Sequence, residues 1–220
     1  MSIAVWEQVF SSQEWGKYPA EPLIRFVAKN FYAMDRSSVR ILEIGCGPGA
    51  NLWYLAREGF SFAGVEGSSS AIQQAADRLD SEFSDWRARG ELIHADITSY
   101  DFGVEAFDAV IDNECVYCLP FLPACDVYSR ARAALKPGGK LFVRTFAKET
   151  WGFHSGIKLD ESTFVCEEGP LAGKGSSRFT AEEDIPVLLQ GYHNISVEKT
   201  SYTLQNGGKV VAEWLIEAVK

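Results

Sequence analysis

The chain has 220 residues, 46% of them hydrophobic, which suits one domain of ordinary size with an ample core. Its 30 acidic residues outnumber 21 basic ones for a net charge of −9, so composition offers no basic footprint for a phosphate backbone and no nucleic-acid partner is expected. No apolar run approaches the roughly 18 residues of a membrane span, and the opening MSIAVWEQVF has an acid but no basic flank, so no membrane partner and a cytoplasmic location are expected.

Along the chain, the segment 6–19 carries Trp6, Phe10, Trp15 and Tyr18 and reads as an aromatic lid. Pro22 stands where a helix begins, and Leu23, Val27, Phe31 and Met34 share one stripe, so 21–34 reads as an amphipathic packing helix. An apolar run at 40–45 then stops abruptly in the turn GCGPG, and a helix follows at 50–58, closed by Gly59. Such a junction points unpaired N–H groups and the positive end of a helix dipole at an approaching ligand. Gly45, Gly47 and Gly49 leave room for that approach. Further strands at 61–65, 91–93, 107–112 and 140–145 alternate with helices at 68–80 and 123–135, the rhythm of a parallel sheet. Ser68 caps the first of these helices, whose Ile72, Ala75, Ala76 and Leu79 fall on one face.

Arg144 interrupts a strand covered on both faces, and pairing with Asp112 would satisfy it; receiving a substrate anion is the less favoured role. A long aromatic and glycine-rich segment fills 146–179, with Phe146, Trp151, Phe153 and Phe164 as a rim facing the lid. Thr180 and Glu183 form a capping box, with Pro186 breaking or restarting the helix just after its first turn. Two alternating segments in 192–219, separated by QNGG, make a hairpin with Asn206 and Gly207 at positive φ. Five scattered cysteines, Cys46, Cys115, Cys118, Cys125 and Cys166, do not form a disulfide framework, and the pair Cys115 and Cys118 has no second pair to complete a zinc site, so no metal is expected.

Taken alone, Gly45, Gly47 and Ala50 also satisfy the dinucleotide fingerprint GxGxxG/A, which leaves a nicotinamide cofactor open. Four blocks in order decide between these: ILEIGCGPG from 41, VEGSSSAI at 65–72, HADITSYDF at 94–102 and LKPGGKLFVRTF at 135–146. Together they resemble the class I S-adenosylmethionine-dependent methyltransferases over roughly residues 38–146. The resemblance implies an α/β, Rossmann-like, seven-stranded, mostly parallel sheet of order 3-2-1-4-5-7-6, with the last strand antiparallel and helices on both faces. It implies one domain over 1–220: a lid and packing helix at 1–35, a cofactor-binding core at 36–146, and a substrate-side insertion with the hairpin at 147–220. It also implies S-adenosyl-L-methionine as cofactor. By the same resemblance Glu43, Cys46, Gly47, Gly49 and Gly67 belong to the cofactor loops, and Glu66 takes the ribose hydroxyls. Asp96 and Ile97 hold the adenine, while Gly45 and Asn113 hold the amino-acid end.

The implied reaction is transfer of a methyl group to an oxygen or nitrogen of a small-molecule acceptor. A nicotinamide-dependent oxidoreductase or a non-catalytic binder of S-adenosylmethionine are the alternatives. A hydroxyl or ammonium acceptor must shed a proton, so a base within reach is expected. The candidates are Glu114 and Tyr117, just after the fourth strand, and His154 in the long segment. His94 and His193 fall at strand ends and take no part in this expectation.

Overall fold

The computed structural model describes residues 3–220, so Met1 and Ser2 of the expected lid segment lie outside the described residues. In chain order it forms α1 (Ile3–Ser12), α2 (Glu21–Phe31), β1 (Arg40–Ile44), α3 (Ala50–Glu58), β2 (Ser61–Glu66), α4 (Ser69–Glu82), β3 (Gly90–His94) and β4 (Phe107–Asn113). There follow α5 (Phe121–Ala134), β5 (Leu135–Phe146), three short strands β6 (Ile157–Lys158), β7 (Thr163–Val165) and β8 (Ser176–Arg178), α6 (Ile185–Leu188), β9 (His193–Leu204) and β10 (Lys209–Val219).

One seven-stranded sheet runs β3-β2-β1-β4-β5-β10-β9. Its first five members are parallel, and β10 lies antiparallel between β5 and β9. With β9 and β10 as sixth and seventh strands of the main sheet, this is the order the resemblance implies. The central strands read as unbroken apolar runs because both their faces are covered. Alternate side chains go to opposite layers. Ile41, Phe62, Ile111 and Phe142 pack under α2, α3 and α4, while Leu42, Val65, Val110 and Val143 pack under α5 and α6.

Several local expectations shift. The packing helix ends at Phe31, leaving Met34 exposed, and buried Phe26 completes its apolar face. The expected capping box gives way to a one-sided cap one residue on: Asp184 accepts from the Ala181 N–H at 3.0 Å with no side-chain bond in return, whereas Thr180 Oγ1 accepts from Arg178 at 3.3 Å. The three-stranded sheet β6-β7-β8 was not foreseen. At the hairpin Gln205, Asn206 and Gly207 all take positive φ, so the turn chemistry holds with one more left-handed residue than expected.

Gly49 caps α3 with φ +79°, and a Cβ there would lie 2.9 Å from the Ala75 Cβ of α4. The bare backbone thereby lets α3 and α4 close on each other. Gly49→Ala therefore loses stability twice over, through the left-handed backbone at about 1–2 kcal/mol and through that contact. Gly103→Ala, at φ +80° in open space, carries the backbone cost alone. Urea unfolding should rank Gly49→Ala clearly below Gly103→Ala; equal midpoints would remove the packing role of Gly49.

Candidate active site

The carboxyl ends of the parallel strands converge on a cavity of about 280 Å³. This is where ligands bind in open α/β sheets. The glycine loop forms its floor: the Gly45 and Cys46 N–H groups donate to the Val65 carbonyl at 2.8 and 3.1 Å. Gly45 sits at φ +68°, and any Cβ on it would collide with the Cys115 sulfur, so only glycine brings this turn against the end of β4. Glu66 ends β2 and accepts from the Gly47 N–H at 3.0 Å and the Ser68 N–H at 2.8 Å. One carboxylate thus joins the glycine loop to the start of α4. Gly67 flanks it, its carbonyl bonded to His94 Nε2 at 3.0 Å.

Glu43 lies in β1, 2% exposed, and Asn51 of α3 donates to its Oε1 at 2.6 Å. Its Oε2 and the Oδ1 of Asn113 are buried without a hydrogen-bond partner among the described residues, and both residues line the cavity. Burial, with Glu66 and Asp112 nearby, pushes the Glu43 carboxyl up to about 8 against the pull of the Asn51 bond. Burial likewise raises the Glu66 carboxyl, opposed by backbone donors from Ser68, Gly47 and Gly67. Two unpartnered oxygens in an acidic wall fit a ligand that brings donors or positive charge, which would draw the Glu43 carboxyl back to its ionised, accepting form.

Beyond Asn113 the chain turns through Glu114, a non-glycine residue at φ +60°. Its N–H donates to the Arg144 carbonyl at 3.0 Å, and its Oε1 lies 3.2 Å from Arg144 Nη2. Arg144 Nε and Nη2 meanwhile donate to the Glu213 carboxylate at 2.7 and 2.9 Å. The expected pairing of Arg144 with Asp112 is thus corrected. Asp112 is fully buried and accepts instead from the N–H groups of Cys115 and Val116 and from Tyr128 Oη at 2.9, 3.0 and 2.7 Å, which shapes the turn.

Over the cavity lies α1, carrying Trp6 and Phe10, with Trp15 and Tyr18 beyond it; all four line the cavity. Trp15 meets Trp6 and Phe10 edge-on, with ring centroids 5.9 and 5.4 Å apart. Glu7 fastens this lid by accepting from Ser68 Oγ at 2.6 Å, Ser70 N at 3.2 Å and Ser70 Oγ at 2.5 Å, and Gln74 Nε2 donates to the Phe10 carbonyl at 2.7 Å. From the insertion, Lys174 Nζ stands 4.5 Å from the Trp15 ring centroid and 5.9 Å from that of Trp6.

Of the sequence candidates, Glu43, Gly45, Cys46, Gly47, Glu66, Gly67, Ile97, Asn113 and Glu114 line the cavity together. Gly49 is set back beneath Ala75, and Asp96 turns its Oδ1 to the Thr98 N–H and hydroxyl at 2.8 and 2.7 Å, outside the lining. Tyr117 is buried edge-on against Phe146 at 4.9 Å, behind the cavity. His154 is exposed at φ +66° with its ring 3.8 Å from that of Phe153, and does not reach the cavity either. Of the expected rim, Phe146, Phe153 and Phe164 stay out of the cavity lining and pack with Tyr117 and Phe179 in an apolar cluster that meets the lid through Trp6. Sequence reasoning missed Glu7, Asn51 and Glu213. Glu213 alone left a trace, as an acid inside the apolar run of β10.

Residues 41–139 match the family model described as a methyltransferase domain. That match takes in the glycine loop and the strands that carry the cavity. The chain is 32% identical to phosphoethanolamine N-methyltransferase 2 of Caenorhabditis elegans over 49% of this chain and 24% of that protein. It is 26% identical to the mitochondrial ubiquinone biosynthesis O-methyltransferase of Mus musculus over 84% of this chain and 48% of that protein. It thus spans less than half the length of these curated relatives. A SAM-dependent methyltransferase of Methanosarcina mazei shares the fold at TM-score 0.70 and 21% identity, covering 91% of this chain and 98% of that one.

The lid depends on Glu7, whose carboxyl its serine donors hold down at about 2, from an ordinary 4.5. A carboxyl with a depressed pKa in the folded state holds its contacts fully above the ordinary value and loses them as pH falls through the depressed one. Hydrogen exchange of Glu7→Gln at neutral pH should show faster exchange of α1 amides with β1 and β4 unchanged. Unaltered α1 protection would mean that the aromatic cluster alone holds the lid.

Proposed function

We propose that the protein is an S-adenosylmethionine-dependent methyltransferase that transfers a methyl group to an oxygen or nitrogen of a small-molecule acceptor. The observation carrying this reading is the convergence, in one cavity, of two buried unpartnered acceptors, Glu43 Oε2 and Asn113 Oδ1, with the glycine loop and the Glu66 carboxylate. When bound, the cofactor supplies a sulfonium methyl already activated for in-line displacement. Glu43 and Asn113 would receive its amino-acid end, where an ammonium brings the missing donors and positive charge. Glu66 keeps lone pairs beyond those used by Gly47 and Ser68, enough to accept two ribose hydroxyls. Ile97 is fully buried in the lining and offers an apolar wall for the adenine, with Asp96 one residue away.

On the acceptor side Glu114 is the base this reading favours over Tyr117 and His154, because it alone of the three lines the cavity. The alignment of the acceptor and the exclusion of water fall to Trp6, Phe10 and Trp15 of the lid. A cavity of about 280 Å³ under an aromatic cover suits a small acceptor, and the net charge of −9 disfavours nucleic acid. Both an N-methyltransferase and an O-methyltransferase stand among the curated relatives, which accords with either acceptor atom.

Calorimetric titration with S-adenosylmethionine, S-adenosylhomocysteine, NAD and NADP tests the assignment, and turnover across a panel of amines, phenols and acids then identifies the acceptor. Tight NAD binding without binding of the other nucleosides would overturn it. Glu66→Ala should weaken S-adenosylhomocysteine by roughly 1.5–3 kcal/mol, the range for hydrogen bonds to a charged group; unchanged affinity would place the ribose elsewhere.

A further inference from the structure

Three side chains from three parts of the chain meet at the acceptor side of the cavity. Glu114 follows β4, Arg144 stands near the end of β5, and Glu213 lies in β10. The sheet fixes their meeting. Arg144 pairs with Leu215 across the antiparallel ladder and Glu213 with Phe146, which makes Arg144 and Glu213 diagonal neighbours on one face. On its other side Arg144 pairs with Asn113 in the parallel ladder, which sets Glu114 directly over it. Both carboxylates then fall on a single nitrogen, Arg144 Nη2, at 3.2 Å from Glu114 and 2.9 Å from Glu213. Glu213 is 2% exposed and does not line the cavity, whereas Glu114 and Arg144 do. The left-handed backbone of Glu114 is a strained conformation for a residue with a Cβ, costing of order 1–3 kcal/mol. Its N–H bond to the Arg144 carbonyl holds it there.

We propose that Glu213 and Arg144 are positioning residues for Glu114, fixing where its carboxylate points and how readily it takes the proton of the methyl acceptor. The proposal rests on the methyltransferase reading above. In the step it serves, a lone pair on the acceptor oxygen or nitrogen forms the bond to the methyl carbon, the carbon–sulfur bond breaks, and its electron pair stays on sulfur. The proton released from the acceptor O–H or N–H goes to a Glu114 oxygen. Glu213 cannot reach the acceptor. It acts by occupying the side-on edge of Arg144, so that the guanidinium is shared and Glu114 is never fully neutralised by it.

Burial pushes the Glu114 carboxyl up to about 8; Arg144 pulls it down, while Glu213 and Asp112 push it further up. Lys174 from the insertion, Tyr202 from β9 and Tyr117 from the following turn also face this group. A base whose proton affinity lies near the working pH is an effective one. Glu213→Gln removes one like charge and releases Arg144 wholly to Glu114, and both changes favour the ionised form. The Glu114 midpoint should therefore fall, by about one unit or more. Arg144→Gln should move it the opposite way.

Carbon-detected NMR titration of the side-chain carboxyls in the full chain, with Glu114 assigned through Glu114→Gln, measures these midpoints directly. The pH limb of turnover, with the acceptor found in the panel, should follow the NMR midpoint downward in Glu213→Gln, a shift that a purely structural role would not produce. S-adenosylhomocysteine affinity should stay within about twofold in that variant, since Glu213 is outside the cavity. A wild-type Glu114 titrating in the ordinary carboxylate range, or a midpoint unmoved by Glu213→Gln, overturns the proposal while intact S-adenosylhomocysteine binding preserves the methyltransferase reading. No binding of that nucleoside by the wild type overturns both. Should Glu213→Gln fail to fold, the wild-type and Arg144→Gln midpoints decide.

Discussion

A carboxylate withdrawn from water must find donors, and this sheet buries four of them, Glu43, Glu66, Asp112 and Glu213, at or near its carboxyl rim. How each is answered sorts the rim into scaffold and site. Asp112 is satisfied by two backbone N–H groups and a tyrosine hydroxyl and belongs to the frame. Glu213 is satisfied by a side-on guanidinium. Glu66 takes two loop N–H groups with lone pairs to spare, and Glu43 keeps one oxygen with no partner. Going from Asp112 to Glu43, the protein supplies less and leaves more for a ligand.

The same constraint explains why the loops cannot be treated separately. Removing one partner of a buried charge leaves the other stranded, which costs more than the pair contributes. Glu66 ties the glycine loop to the start of α4, Glu7 ties α1 to that same start, and Gly45 is pressed against Cys115 at the end of β4. The walls of the cavity are consequently one electrostatic unit, with Asn113 and Glu114 as adjacent residues in its lining.

Much of this was legible in the sequence. The alternation of apolar runs with helical stripes gave the parallel core, and the resemblance carried by the glycine loop gave the order of the sheet, because both depend on short-range pattern. Illegible features depend on partners far along the chain. Glu213 looks like an isolated acid until β10 is laid beside β5, and the partner of Arg144 follows from that register rather than from proximity in sequence to Asp112. Glu7 lies in an aromatic segment whose rings announced a lid but whose latch is a carboxylate reaching 61 residues along to Ser68. The strands β6 to β8 are two or three residues long, too short for any period to register, and they carry His154 away from where loop length alone would send it.

The lid α1 is grasped from both flanks: Glu7 holds it to α4, and Lys174 of the insertion presses on Trp15 and Trp6 from the opposite side. Anything sheltered below it leaves only when both grips loosen together. Glu7 and Lys174 are thus the two fasteners on which opening of the cavity depends.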